Sequence, residues 1–217
     1  MATLVGRRLT YAELCELPDD GVLWELLDGV PVTRASPTRR HQRLVGEMYA
    51  RLRPAQDAGL GELVLGPFDV VLDEHNATLP DLIFIRAEHA HFVADTGCFG
   101  PPDLVVEVLS PSSIERDLED KRGTYERFEV AGYWVLDLAG EQIRRFHLDH
   151  GRYVEQPTLG RDDVLTSPLF PALQIPVREL FASISRNSGA GQAPTAEVER
   201  VKALEEQHRR RPRRDRR

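Results

Sequence analysis

The chain has 217 residues, 41% of them apolar, and a formal net charge of −7, enough for one large domain or one domain and a tail. It holds no run of 18 apolar residues and Met1 to Thr10 carries no apolar stretch, so neither a transmembrane helix nor a signal peptide is expected, and no membrane partner. Two cysteines, Cys15 and Cys98, exclude a disulfide framework or a zinc site of their own and point to a cytoplasmic protein with reduced thiols.

Thr10 to Leu17 predicts a short helix, with Thr10 as cap and Glu13 completing a capping box. Leu23 to Val32 predicts a hairpin turning at Asp28-Gly29. After Ser36-Pro37, a helix is expected over 38–56, where Leu44, Val45, Met48, Tyr49 and Leu52 recur at helical spacing. Strand-like segments follow at 62–65, 68–72 and 82–85, the last just after Pro80-Asp81. Leu104 to Leu109 is nearly continuous apolar sequence, as in a strand buried on both faces, interrupted by Glu107.

Ser112 or Ser113 can cap a helix over 114–130, ended by Gly132. A strand is expected at 133–137, a late hairpin around Asp149-His150-Gly151, and a last packed element at 177–184. Residues 185–196 are rich in Gly, Ser and Asn, as in a linker, and an arginine block closes the chain. The order predicts an α/β (α+β) fold, a mixed central sheet flanked by helices, as one domain over 1–184, with a flexible polar linker and basic tail over 185–217. Residues 186–217 hold ten Lys/Arg and five Asp/Glu, which leaves 18 basic and 30 acidic residues, a net of −12, in 1–185. An acidic core argues against broad adhesion to nucleic acid and leaves a local basic groove open.

Lysine occurs twice, against 26 arginines, and Lys202 lies in the tail. Lys121 therefore stands alone in the predicted fold. Arginine keeps its proton in any protein environment, whereas a lysine amine can be tuned by its site, so its retention here suggests a chemical requirement. Asp81 stands at the mouth of one predicted strand and Glu107 near the end of the next. If those strands are neighbours, the carboxylates converge, and paired carboxylates at a strand edge suit Mg²⁺, a hard cation that keeps several waters. Such an ion can polarise a phosphodiester and lower the pKa of a water. A nearby lysine can stabilise the charged phosphate or help activate the water. Asp117, Lys121 and Tyr125 fall on one helical stripe. Burial would lower the lysine pKa and the carboxylates would raise it; sequence leaves the balance open.

Several segments together carry a resemblance: Trp24-Glu25-Leu26-Leu27-Asp28-Gly29, Ser36-Pro37 with Arg40-His41, Pro80-Asp81-Leu82, the run Pro102 to Ser113, Asp117 with Lys121 and Tyr125, and Tyr133 to Asp137. Over roughly residues 10–182 the chain resembles a widespread bacterial family of restriction-endonuclease-domain proteins, long described as a domain of unknown function, within the PD-(D/E)XK nuclease superfamily. The resemblance implies a restriction-endonuclease-like core: helix 38–56, strands 62–72, 80–86 and 103–109, helix 114–130 and strand 133–137. It also implies catalytic roles for Asp81, Glu107 and Lys121, with Asp81, Glu107 and the Val108 carbonyl holding Mg²⁺, or Mn²⁺ as a substitute. DNA is the implied partner, and a homodimer would match the two-fold symmetry of duplex DNA. The superfamily lysine sits two residues after the Glu, a position held here by Leu109. The resemblance implies that the lysine has moved to the following helix, as Lys121.

Three further residues are supporting candidates. Asp103 shares a strand face with Glu107 but lies ~13 Å along the strand, which favours a role at the strand entrance. Glu25 is open between facing the metal site and facing solvent, and His41 between a structural role and a place beside the substrate or metal. His89 and His91 with Glu88 read better as a solvated loop than as a metal clip. Ser110, Ser112 and Ser113 lack the glycine-flanked elbow of a nucleophilic serine. Two functions follow: a Mg²⁺-dependent endonuclease acting on DNA, with RNA as a variant, or a catalytically silent binding protein that keeps the nuclease fold.

Overall fold

The computed structural model describes residues 8–18, 21–110 and 116–185. The expected caps Ser112 and Ser113 and the tail 186–217 lie outside the described residues. Helix α1 (Tyr11–Cys15) is capped by Thr10, and Glu13 completes the capping box as the spacing predicts. Strands β1 (Trp24–Leu27) and β2 (Val30–Thr33) form the expected hairpin, in which Asp28 and Gly29 both take positive φ, 50° and 79°. Such a two-residue turn matches the twist of the strands it joins.

Helix α2 (Arg39–Asp57) starts where the Thr38 side chain accepts the His41 N–H. Its buried residues are His41, Leu44, Val45, Met48 and Leu52, one stripe at helical spacing. Each of the four apolar ones contributes about 1.5–3 kcal/mol of burial. The stripe packs on a sheet whose order is β12-β11-β10-β9-β6-β3. These strands are β3 (Gly61–Leu65), β6 (Leu82–Arg86), β9 (Leu104–Val108), β10 (Gly132–Asp137), β11 (Gln142–Asp149) and β12 (Arg152–Leu159). Only β9 and β10 run parallel; every other pairing in this sheet is antiparallel.

The segments expected at 62–65 and 68–72 both form strands, but in different sheets and not as one core strand 62–72. Gly66-Pro67 follows β3, proline offers no N–H to the ladder, and the chain leaves for a second sheet as β4 (Val70–Asp73). That sheet has the order β2-β1-β5-β4-β8-β7 and includes β5 (Asn76–Thr78), β7 (Val93–Ala94) and β8 (Gly97–Phe99), three short strands that sequence pattern did not announce. A short ribbon of β13 (Val164–Ser167) and β14 (Phe170–Pro176) was also not foreseen, whereas α4 (Val177–Ser185) was. The expected helix 114–130 is shorter: a π turn at Arg116–Asp120 leads into α3 (Lys121–Arg127). Among the described residues no helix is long and apolar enough to cross a membrane.

The two faces of β6 and β9 separate cleanly. Leu82, Phe84, Leu104, Val106 and Val108 pack with α2 on one side. Ile83, Ile85 and Val105 pack with Tyr125, Tyr133 and Val135 on the other. Because side chains alternate along a strand, Asp81 and Glu107 fall on this second face.

Candidate active site

The register brings the two carboxylates together. Strands β6 and β9 pair Phe84 with Leu104, Ile83 with Val105 and Leu82 with Val106. One further step sets Asp81 opposite Glu107, on the same face. Asp81 Oδ2 accepts the Val108 N–H at 2.7 Å, which pins the aspartate to the strand that carries the glutamate. Gly66 permits this approach: its N–H donates to the Asp81 carbonyl at 2.9 Å, and a Cβ there would lie 2.1 Å from the Pro80 carbonyl oxygen.

Lys121 closes the site from within. Its Nζ lies 2.7 Å from Glu25 Oε1, 2.8 Å from Glu107 Oε1 and 3.6 Å from Asp117 Oδ1. Glu25 comes from β1 of the second sheet, where its Oε1 also accepts the Leu79 N–H at 2.9 Å. The ammonium therefore bridges the two sheets. Lys121, Glu25, Glu107 and Asp117 are each no more than 3% exposed. The stripe expected on this helix is present: Tyr125 is buried, and its hydroxyl donates to Thr78 Oγ1 at 3.1 Å.

Burial alone would lower the Lys121 pKa, but the charges of Glu107 and Glu25, followed by Tyr125 and Asp117, push it well above its ordinary value. The surrounding carboxylates thus favour the charged amine, which suits Lys121 to stabilising negative charge. Glu107 behaves in the opposite sense. Burial pushes its carboxyl up to about 8; Lys121 opposes that shift, Asp117 and Asp81 add to it, and Arg34 opposes it. Burial also raises the Asp81 pKa, but the His41 hydrogen bond and the Arg34 charge outweigh it and hold Asp81 below the usual carboxylate range.

On the solvent side stand two arginines that sequence reasoning missed. The Arg34 guanidinium, at the exit of β2, is paired with Asp81 Oδ1 and lies 3.8 Å from Glu107 Oε2. Arg116 Nη1 lies 3.9 Å from Glu25 Oε2 and 3.3 Å from the Thr33 carbonyl. In a chain with 26 arginines, neither carries a signal of its own.

The supporting candidates divide. His41, on the buried stripe of α2, places Nε2 3.1 Å from Asp81 Oδ2, so it backs the carboxylate pair. Glu25 faces the site and not solvent. Asp103 is not brought to it. At the strand entrance it accepts the Arg86 N–H at 2.8 Å and contacts His89 Nδ1 at 2.9 Å, a local engagement far along β9 from Glu107. His89 and His91 lie in a 3₁₀ turn, Ala87–Phe92, beside Asp103.

The donor set fits a hard divalent cation. Asp81 and Glu107 both lie within 4 Å of one guanidinium nitrogen, so a single positive charge already sits between them. Glu25 Oε2 is buried without a hydrogen-bond partner, a surplus of acceptor capacity in the same cluster. Among the described residues no group of three or more His, Cys, Asp and Glu is arranged to hold a metal. Two carboxylates and waters are what Mg²⁺ commonly takes.

Fold and site together define an α+β protein with a restriction-endonuclease-like core and a carboxylate pair at a strand edge. The chain belongs to the Uma2 family, described as "Putative restriction endonuclease", whose model matches residues 10–178. Among solved structures it is similar to a "putative nuclease belonging to DUF820" from Anabaena variabilis, at 16% identity and a TM-score of 0.68, over 81% of this chain and 99% of that one. It is also similar to the type IIG restriction endonuclease BpuSI, at 16% identity and a TM-score of 0.39, over 81% of this chain and 20% of that one. No curated protein matches the chain.

Proposed function

We propose that the protein is a Mg²⁺-dependent endonuclease that hydrolyses DNA phosphodiester bonds. The observation that carries this reading is the register that sets Asp81 opposite Glu107 on one buried face, with both beside one cation. Membership of a family described as "Putative restriction endonuclease" supports the nuclease class.

Asp81, Glu107 and the Val108 carbonyl would hold the ion. When bound, a divalent ion supplies Lewis-acid polarisation of the phosphodiester and an acidified water. The protein's own groups set the stage for it. His41 and the Val108 N–H orient Asp81. Lys121, holding its proton, orients Glu107 through its Oε1 and leaves Oε2 toward the pair's open side. Lys121 also supplies a fixed positive charge close to where negative charge develops, a preorganised form of electrostatic stabilisation. Arg34 and Arg116, 17% and 24% exposed, line the approach from solvent and suit an incoming phosphate. Cutting both strands with one site per chain calls for two copies, and a two-fold homodimer matches the symmetry of the duplex.

One observation favours a second reading, a catalytically silent protein that keeps the fold: Arg34 already occupies a place beside both carboxylates and offsets part of their charge. Cleavage of plasmid, single-stranded DNA and RNA, with and without Mg²⁺ or Mn²⁺, separates the two. Metal-dependent cutting that is lost in Asp81→Asn supports the nuclease. Metal-independent inertness of pure protein on all three substrates supports the silent fold.

A further inference from the structure

The cation between Asp81 and Glu107 belongs to the chain itself. Two carboxylates facing each other across an antiparallel pair repel, and the repulsion grows as water is excluded. Lys121 answers it from the interior, through Glu107 and Glu25. Arg34 answers it from the other side: among the described residues it is the cation paired with Asp81 Oδ1, and it lies 3.8 Å from Glu107 Oε2. Its side chain is 17% exposed, against 6% and 2% for the carboxylates it bridges. Its backbone is fixed, with the N–H donating to the Leu23 carbonyl at 2.9 Å, while residues 35–38 that follow are exposed and outside any strand or helix. The guanidinium therefore bridges the pair while staying partly open to solvent.

We infer that Arg34 is an internal counter-ion that competes with the divalent cation for Asp81 and Glu107, so that the ion enters only as the guanidinium leaves. This rests on the metal-dependent reading proposed above. A guanidinium held on these oxygens repels a divalent ion beside it and crowds the directions from which that ion would be coordinated. The charge of the metal-free pair is thereby partly compensated, and the ion's apparent affinity is reduced to the fraction of molecules in which Arg34 is disengaged. Once released, the guanidinium lies on the solvent side, where a phosphate arrives. Its positioning role is to couple ion entry to an exposed positive charge.

The test is Mn²⁺ binding by titration calorimetry on the full chain, comparing wild type with Arg34→Gln, Arg34→Ala and Asp81→Asn, each checked for folding by circular dichroism. Gln keeps most of the side-chain bulk, so a folding failure of the Ala variant leaves the comparison intact. Both Arg34 variants should bind Mn²⁺ about tenfold tighter or more, as expected if nine in ten molecules engage the guanidinium. Without metal they should melt earlier than wild type, and saturating Mn²⁺ should close that gap. If wild type binds Mn²⁺ through Asp81 but the Arg34 variants bind equally or more weakly, the competition is refuted while the metal site stands. If neither wild type nor the Arg34 variants bind Mn²⁺, both the competition and the metal-dependent reading fall.

Discussion

Lys121 Nζ and Glu107 Oε1 are 2.8 Å apart in a position almost closed to solvent, although fourteen residues separate them in the chain. This contact fixes the geometry of the strand-edge carboxylate from behind. Removing the amine leaves Glu25 and Glu107 buried without their common cation. Lys121→Ala should therefore destabilise the protein by about 3–5 kcal/mol, the usual cost of breaking a buried pair. Lys121→Arg keeps the charge but must fit a larger, planar group into a filled site, at roughly 1–3 kcal/mol. Both should lower cleavage by about 10²–10⁴-fold. Leu109 shares the strand face of Glu107, and Leu109→Lys with Lys121→Ala should recover part of the activity. Thermal melts and cleavage rates check all three variants; wild-type cleavage by Lys121→Ala would make the lysine purely structural.

The pH dependence follows from Glu107. Its folded-state pKa, pushed up to about 8 from 4.5, means that the folded chain holds this proton more tightly than the unfolded chain. Its contribution to stability is complete below the unfolded value and is lost as pH rises toward 8. In the metal-free protein, the melting temperature of wild type relative to Glu107→Gln should fall across that window. Divalent-ion affinity should rise over the same window, because the ion takes the ionised carboxylate. Asp81, held low, contributes in the other sense and loses its stabilisation only as pH falls through its depressed value. A wild-type advantage over Glu107→Gln that stays constant with pH would contradict the shift.

Glu25 supplies a separate test, because it joins the sheets. Glu25→Gln keeps an acceptor for the Leu79 N–H but loses the charge facing Lys121. It should cost about 1.5–3 kcal/mol, the range for hydrogen bonds to charged groups. Chemical denaturation measures this directly, and an unchanged midpoint would show that Asp117 and Glu107 suffice for Lys121.

Much of this architecture is legible in the residues. Thr10 with Glu13, the Asp28-Gly29 turn and the α2 stripe are local signals, and each forms where spacing predicts. Asp81 and Glu107 are nameable because each is a carboxylate set in, or beside, an apolar run, and Lys121 because it is the lone lysine of the fold in an arginine-rich chain. What the sequence hides is non-local. Whether Glu25 faces solvent or the interior depends on a second sheet built from strands of two to four residues, too short for a periodic signal. Arg34 is indistinguishable from surface arginines until the fold brings it to Asp81. Asp103 takes the strand-entrance place that its distance from Glu107 predicts, but its partners there, His89 and Arg86, are not legible in the sequence.

The tail is expected to be separable from the fold. The family match ends at residue 178 and the last described element at Ser185. Deleting residues 186–217 should leave the melting temperature nearly unchanged, as polar, linker-like composition buries little apolar surface. A large loss in calorimetry would instead reveal docking of that segment. Light scattering on the same two proteins at micromolar concentration tests the proposed homodimer, and a monomer would restrict the activity to nicking or single-strand cleavage.

The central claim is that Asp81 and Glu107 form one metal-dependent catalytic pair. Its most direct test is the rate of plasmid cleavage at saturating Mg²⁺ or Mn²⁺ for wild type, Asp81→Asn and Glu107→Gln. The account predicts cutting by wild type that disappears on chelation, with both variants slower by at least about 10². Cutting that persists in Asp81→Asn, or a wild type inert with either ion on DNA, would contradict it.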